Sequence, residues 1–359
     1  MATIKDIAKI AGVSEGTIDR VIHNRGGVSA KTEIKIKKIL EEHNFTLNPI
    51  ASALASNKKY KVSCLIPQYD EQNTFWKSPL LGILKAYDEF KTFGVQIKNY
   101  TFNQFDSSSY LKQFADLLNE KPHAVVLAPI FELETKQIVE QLDTLNIPYL
   151  FLNIDIDGLN NITFIGQDSY KGGYVSGKLM HLSLEEHDAC AIVQTRLNIT
   201  NYLAISKRIK GFKGYLKDHN IKLNVLNLSI DLLNPILAKE ALNTFLENHS
   251  HIKGLFVPTS RSSVITDFIN EDKLKPLHII GFDTTKNNLK SLQEGKLKFL
   301  ISQRAFNQGY DAIKTMSDFL IYKKVPSKKI YSPIQIIIKE NIEFAIEESN
   351  KDLESAHSY

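Results

Sequence analysis

Cysteine is scarce in this chain: two in 359 residues, with a single tryptophan and three methionines. Cys64 and Cys190 stand inside apolar, strand-like runs. They read as reduced thiols in a core rather than as a disulfide or a metal site. No apolar run approaches the roughly 18 residues that would span a bilayer, so no membrane association is expected. The first six residues, Met1 to Asp6, carry no apolar segment of the secretory kind, and the expected location is the cytoplasm. Catalytic signatures are missing as well. There is no phosphate loop, nucleophile elbow, zinc motif or dinucleotide glycine fingerprint. Lys171-Gly172-Gly173 opens a helical stretch without phosphate-loop spacing, and the ten histidines show no metal spacing. The chain is therefore expected to be no enzyme, with no catalytic residue, cofactor or metal.

What is present is a globular composition, 43% hydrophobic and 23% charged, in a chain long enough for two or three packed units. Net charge is only +4, but it is unevenly placed. Residues 1–60 hold ten Lys/Arg against six Asp/Glu, while the other 299 hold 34 of each. A basic module on a neutral body points to a polyanion-binding head.

The basic segment reads as helices alone. Thr3-Ile4-Lys5-Asp6 is a capping box, in which hydroxyl and carboxylate each satisfy a free backbone N–H. Ile4, Ile7, Ala8 and Ala11 form an apolar stripe, and Gly12 ends the helix. Ser14 caps a second helix from Glu15 to about Asn24, with Ile18, Val21 and Ile22 packing and Thr17 and Arg20 projecting. After Arg25-Gly26-Gly27, Ser29 caps a third helix with Ile36, Ile39 and Leu40 inward. Two short helices about a tight turn and a third behind them make the helix-turn-helix plan. It lets the start of the second helix protrude into a DNA major groove.

From residue 61 the pattern becomes strand–helix alternation. Strands are expected near 61–67, 95–100, 124–129, 149–153, 162–166, 189–195, 222–228, 254–258, 277–282, 299–302 and 330–338, with helices between. Continuous apolar strands of this kind form parallel sheets covered on both faces. The cycle restarts near residue 189, which implies two similar lobes, with ligands at the carboxyl ends of strands.

These residues resemble a known family. Thr3 to Ala8, Ala11-Gly12-Val13-Ser14, Thr17 to Ile22, Val28 to Thr32 and Asn48-Pro49 before Ala51 and Leu54 are similar to the LacI-type DNA-binding headpiece. Gly166-Gln167-Asp168, Arg208 with Gly211-Phe212, Gly281-Phe282-Asp283, and Gln303 before Asn307 to Tyr310 resemble type I periplasmic sugar-binding proteins. The resemblance implies an all-α helix-turn-helix headpiece plus an α/β sensor of two doubly wound parallel-sheet lobes. The headpiece would span 1–47 and a hinge helix and linker 48–60. The effector-binding domain would span 61–345, with lobe 1 at 61–165 and 303–328 and lobe 2 at 166–302 and 329–345. An acidic tail would follow at 346–359.

By that resemblance Glu15, Gly16 and Arg20 face base edges, Thr3 is a DNA-binding residue, and Ser14, Thr17, Ser29, Lys31 and Thr32 suit phosphate contacts; Arg20 also reads as a phosphate-binding or solvated arginine, and Lys31 as part of a solvated face. Asn48, Ala51 and Leu54 belong to a hinge helix that wedges Leu54 into the minor groove; read without the resemblance, the same segment is a linker helix packing Leu54 on the body. Acidic Asp19 stands where the family carries a small polar residue. The implied effector set is Asp70, Asn73, Phe75, Trp76, Asn153, Asp155 and Asp168 in the first lobe and Arg196, Arg208, Ser260, Asp283 and Gln303 in the second. Trp76 suits core packing as well as stacking, Asp283 suits helix capping as well as ligand binding, and Asp70 and Asp155 read equally as loop carboxylates. Arg196, Arg208 and Arg261 near one cleft mouth point to an acidic ligand, such as a uronate or a phosphorylated sugar. The expected function is a transcription regulator, a repressor, whose binding to a near-palindromic double-stranded operator is controlled allosterically by a carbohydrate held between the lobes of a homodimer. The alternatives are an activator of the same architecture and an enzyme acting on a sugar.

Overall fold

The computed structural model describes residues 3–22, 25–43, 45, 58–69, 74–195 and 202–347. The expected hinge residues Asn48, Ala51 and Leu54 lie outside the described residues, as do Asp70, Asn73, Arg196 and the tail from 348. The chain divides into two compact units, Met1–Lys58 and Lys59–Tyr359.

The first unit contains α1 (Ile4–Ala11), α2 (Glu15–Ile22) and α3 (Ala30–Glu42). The capping box is formed: the Thr3 N–H donates to Asp6 Oδ2 at 2.9 Å, and the Asp6 N–H donates to Thr3 Oγ1 at 3.2 Å. The Thr3 N–H first, and then the Thr3 hydroxyl, which donates to the same Asp6 oxygen at 2.7 Å, hold the Asp6 carboxyl below its ordinary pKa. Gly12 ends α1 at φ 67°, the left-handed conformation that glycine adopts without strain. Ser14 and Ser29 accept the Thr17 and Thr32 N–H groups. Ile7, Ala8, Ala11, Ile18, Val21, Ile36 and Ile39 meet in one small core. The Lys35 ammonium donates to the Ala11 carbonyl at 2.9 Å, tying α3 to the end of α1.

In the second unit, β1 (Tyr60–Pro67), β2 (Val95–Phe102), β3 (Ala124–Leu127), β4 (Tyr149–Leu152), β5 (Phe164–Gly166) and β11 (Lys329–Tyr331) form a sheet ordered β11-β5-β4-β3-β1-β2. All its pairings are parallel. The other sheet is ordered β12-β10-β9-β8-β6-β7. It comprises β6 (Ala189–Gln194), β7 (Asn224–Ser229), β8 (Ile252–Phe256), β9 (His278–Phe282), β10 (Phe299–Ser302) and β12 (Gln335–Ile337). β12 runs antiparallel to β10; the remaining pairings are parallel. The first sheet is packed by α4 (Lys77–Phe90), α5 (Ser107–Asn119), α6 (Glu132–Thr144) and α13 (Ala305–Tyr322). The second is packed by α7 (Ser169–Ser183), α8 (Leu203–Asp218), α9 (Pro235–Asn248), α10 (Ser262–Phe268), α11 (Glu271–Leu274) and α12 (Lys286–Gln293). Both cysteines are buried free thiols, and burial raises their pKa.

The expected single strand over 330–338 is two strands, one in each sheet. Lys329–Tyr331 lies beside β5 in the first sheet, so the expected assignment of 329–345 to the second lobe alone is corrected. The Ser332 N–H still donates to the Gly166 carbonyl, but Pro333 has no N–H to extend the ladder, and the chain crosses to β10. With the passages after β5 and after β10, three segments cross between the lobes.

Candidate functional site

On the headpiece, Ser14, Glu15, Gly16 and Arg20 are exposed on the face of α2 opposite buried Ile18 and Val21. Thr3, Ser29 and Lys31 are exposed as well, and Thr17 and Thr32 half-buried. The exposed start of α2 presents an acceptor, Glu15, and a bare backbone stretch at Gly16, and the Arg20 guanidinium follows one turn on, in the last turn. A Cβ on Gly16 would meet nothing nearer than Ser14 Oγ at 3.8 Å. Packing therefore gives no reason for glycine there. Asp19, unusual for the family pattern, pairs with Arg25 at 2.9 Å.

In the body, the carboxyl ends of the strands of both lobes converge on a cavity of about 100 Å³. From the first lobe it is lined by Phe75 and Trp76 before α4, Gln104 after β2, Ile130 after β3, and Asn153 and Ile154 after β4. The second lobe supplies Thr195, Tyr202, Ile205, Arg208, Thr259, Ser260, Arg261 and Asp283, and Gln303 lies on the crossing strand end. Seven expected effector residues are thus together: Phe75, Trp76, Asn153, Arg208, Ser260, Asp283 and Gln303. Phe75 and Trp76 meet edge to face, centroids 5.2 Å apart. Trp76 is 4% exposed and belongs to the first-lobe core while lining the cavity.

Asp155 and Asp168 are not brought into this cavity. They line a neighbouring one of about 60 Å³ with Lys207, Lys329 and Tyr331. Asp155 pairs with Lys329 at 2.6 Å. Asp168 caps α7, its Oδ1 accepting the Lys171 N–H at 2.9 Å. Both carboxylates are committed to structure.

Arg208, on the second turn of α8, is buried. Its Nη1 donates to the Pro258 carbonyl at 2.9 Å, and its Cζ lies 3.9 Å from the Phe282 ring centroid. Its Nε–H is buried and has no hydrogen-bond partner among the described residues. α8 comes this close because of two glycines. A Cβ on Gly173 would fall on the Arg208 carbonyl, and one on Gly211 on the Tyr170 carbonyl, so α7 and α8 pack backbone to backbone. Burial lowers the Arg208 pKa to about 10, which leaves it charged at neutral pH. Burial pushes Asp283 up to about 6, against the opposing pull of Arg208 and of the Gln303 hydrogen bond.

Asp283 does not cap the following helix; Thr285 does. Asp283 has φ 71°, a conformation Asp tolerates, and Asn153 has φ 69°. These turns aim both side chains at Gln303. Its Nε2 donates to Asp283 Oδ1 at 2.7 Å, and its Oε1 accepts from Asn153 Nδ2 at 3.3 Å. Asn153 also donates to Gln308 on α13 at 2.9 Å. A buried hydrogen-bond chain therefore runs from α13 and β4 of one lobe through Gln303 to the end of β9 in the other. Buried Asn288 ties the loops after β8 and β9 together, donating to the Ser260, Phe282 and Asp283 carbonyls.

Sequence reading missed Gln104, Ile130, Thr195 and Thr259, although each stands one to three residues past a strand end. Tyr202, just before α8, carries no such signal.

A model of the bacterial regulatory proteins of the lacI family matches residues 3–48, and a model of the periplasmic binding protein domain matches residues 64–324. The second covers well over half of the chain. The chain thus pairs a helix-turn-helix head with a periplasmic-binding-protein body; it belongs to the LacI family of DNA-binding transcription regulators. It is similar to the ribose operon repressor of Lactococcus lactis, 25% identical over 95% of this chain and 98% of the relative. Catabolite control protein A of Priestia megaterium is 23% identical over 94% of this chain and 98% of that protein. A crystal structure from Bacteroides fragilis, described as a LacI transcriptional regulator, superposes with a TM-score of 0.75 at 27% identity, covering 80% of this chain and 99% of that one. These relatives are regulators rather than enzymes. Among the described residues no helix is long and apolar enough to cross a membrane.

Proposed function

We propose that this protein is a cytoplasmic repressor that binds a near-palindromic double-stranded operator as a homodimer, and that a small carbohydrate or sugar acid held between its lobes sets the affinity for that operator. The observation that carries this reading is the interlobe cavity. In a chain with a lacI-family head, it has polar groups from both lobes and an aromatic pair on one wall. The name of the Lactococcus relative, a repressor of a ribose operon, supports a carbohydrate.

The lobes share the Asn153–Gln303–Asp283 chain, so a ligand that replaces or reinforces these bonds favours one lobe arrangement over another. Only such differential binding shifts an equilibrium between two states. On DNA, Arg20 bonds guanine, Glu15 accepts from cytosine N4, and Gly16 lets the backbone approach a base. Thr3, Ser14, Thr17, Ser29, Lys31 and Thr32 hold phosphates and set the register.

Site selection from random duplex DNA with the full chain tests this. The expected outcome is an inverted-repeat consensus, bound by two chains per duplex and released steeply as salt rises. Recovery of no consensus would overturn it.

A further inference from the structure

Among the described lining residues of the cleft, cationic groups outnumber anionic ones. Among the described lining residues the charged groups are two guanidinium groups, Arg208 and Arg261, and one carboxylate, Asp283. A cleft for neutral sugars needs acceptors for hydroxyl protons, and carboxylates serve best because each accepts several bonds. Here the sole described carboxylate already gives Oδ1 to Gln303. Gln303 Oε1 is occupied by Asn153. The Arg208 Nε–H, by contrast, is buried with its side chain, which is 5% exposed, and has no acceptor among the described residues. A buried guanidinium donor without a partner costs more than a neutral one and persists where a ligand supplies the acceptor. Nε and an Nη together form the planar fork that fits a carboxylate.

Arg261 lines the same cavity, and its Cζ lies 5.5 Å from the ring centroid of Phe105, which belongs to the other lobe. An anion drawn to Arg261 and Arg208 therefore sits where the lobes face each other. The apolar wall of Phe75, Trp76, Ile130 and Tyr202 suits the C–H face of a sugar.

We infer that the effector is a sugar acid, a uronate or aldonate, whose carboxylate accepts from the Arg208 Nε–H. This rests on the reading of the cleft as the effector site.

The test is isothermal titration calorimetry of the full chain with D-galacturonate, D-glucuronate and D-gluconate. D-galactose and D-glucose serve as neutral counterparts, and D-glucose 6-phosphate as the alternative anion. At least one carboxylate is expected to bind ten times or more tightly than its neutral counterpart. Arg208→Lys, which keeps the charge but loses the Nε–H and the fork, is expected to lose at least tenfold for that carboxylate. Arg261→Gln, which leaves the α7–α8 packing untouched, is expected to weaken the same ligand by severalfold and guards against a folding defect in the first variant. Neutral sugars binding as tightly as the acids would overturn the inference while leaving the effector cleft standing. Preference for the phosphate would overturn the assignment to a carboxylate. Binding of none of the six would overturn both the inference and the effector reading beneath it.

Discussion

Asp283 is a carboxylate that folding makes harder to ionise. Its pKa rises from 3.8 to about 6, chiefly through burial. Two units correspond to about 3 kcal/mol. The sign follows from proton counts. Between pH 4 and 6 the folded protein holds more of this proton than the unfolded chain does, so Asp283 costs stability at neutral pH. The cost fades as pH falls through the folded pKa toward the unfolded one. Asp283→Asn keeps the Oδ1 that accepts from Gln303 and removes the charge. At pH 7.5 the variant gains up to about 3 kcal/mol, less whatever Arg208 loses with its counter-charge. By pH 4.5 the wild type has recovered roughly 2 kcal/mol of the difference. For a unit of some 300 residues that is a narrowing of about 3 °C in the gap between the two melting temperatures. Fluorescence of Trp76, the only tryptophan and buried at the cleft, reports unfolding of the body. A gap between variant and wild type that stays constant from pH 7.5 to 4.5 would refute the reasoning, because it would mean that Asp283 titrates alike in both states.

Other outcomes are expected from the same geometry. Thr3→Ala removes half of the capping box and should cost the headpiece about 1 kcal/mol, read as faster amide exchange in α1 of the full chain with the body unchanged. Gly16→Ala meets no obstacle within the head and improves helix propensity by up to about 1 kcal/mol; the headpiece should become more stable while the selected operator sequence changes. An unchanged operator preference would show that Gly16 does not approach a base. Gly173→Ala drives a methyl into the Arg208 carbonyl and should destabilise the body by roughly 1–3 kcal/mol, with ligand affinity falling as Arg208 is displaced; a melting temperature equal to wild type would contradict the backbone packing of α7 on α8.

Much of this was legible in the sequence where local chemistry decides. Thr3, Ser14 and Ser29 cap helices because a short polar side chain followed by an apolar period has few other uses. The strand ends announced Asn153, Ser260, Asp283 and Gln303 because parallel sheets gather their carboxyl ends at one edge. What failed depended on choices that local pattern leaves open. Asp168 has the spacing of a ligand residue and of a helix cap, and capping took it. Asp155 follows a strand end, but Lys329, 174 positions further on, captures it. The run from Ile330 to Ile338 is apolar enough for one strand, and only Pro333 marks the crossing between sheets. The chain from Asn153 to Gln308 joins residues 155 positions apart, which no periodicity could show.

The proposed function requires coupling between the cleft and the head. Linkage requires it to be reciprocal: a ligand that changes operator affinity by some factor must have its own affinity changed by the same factor when operator is bound. The decisive measurement is ligand affinity by calorimetry with the free protein and with the protein saturated by its selected operator, set beside operator affinity with and without ligand. Two equal factors are expected, on the order of 5–150-fold. Ligand binding that is indifferent to operator would contradict the coupling, and the cleft would then be a binding site with no hold on DNA.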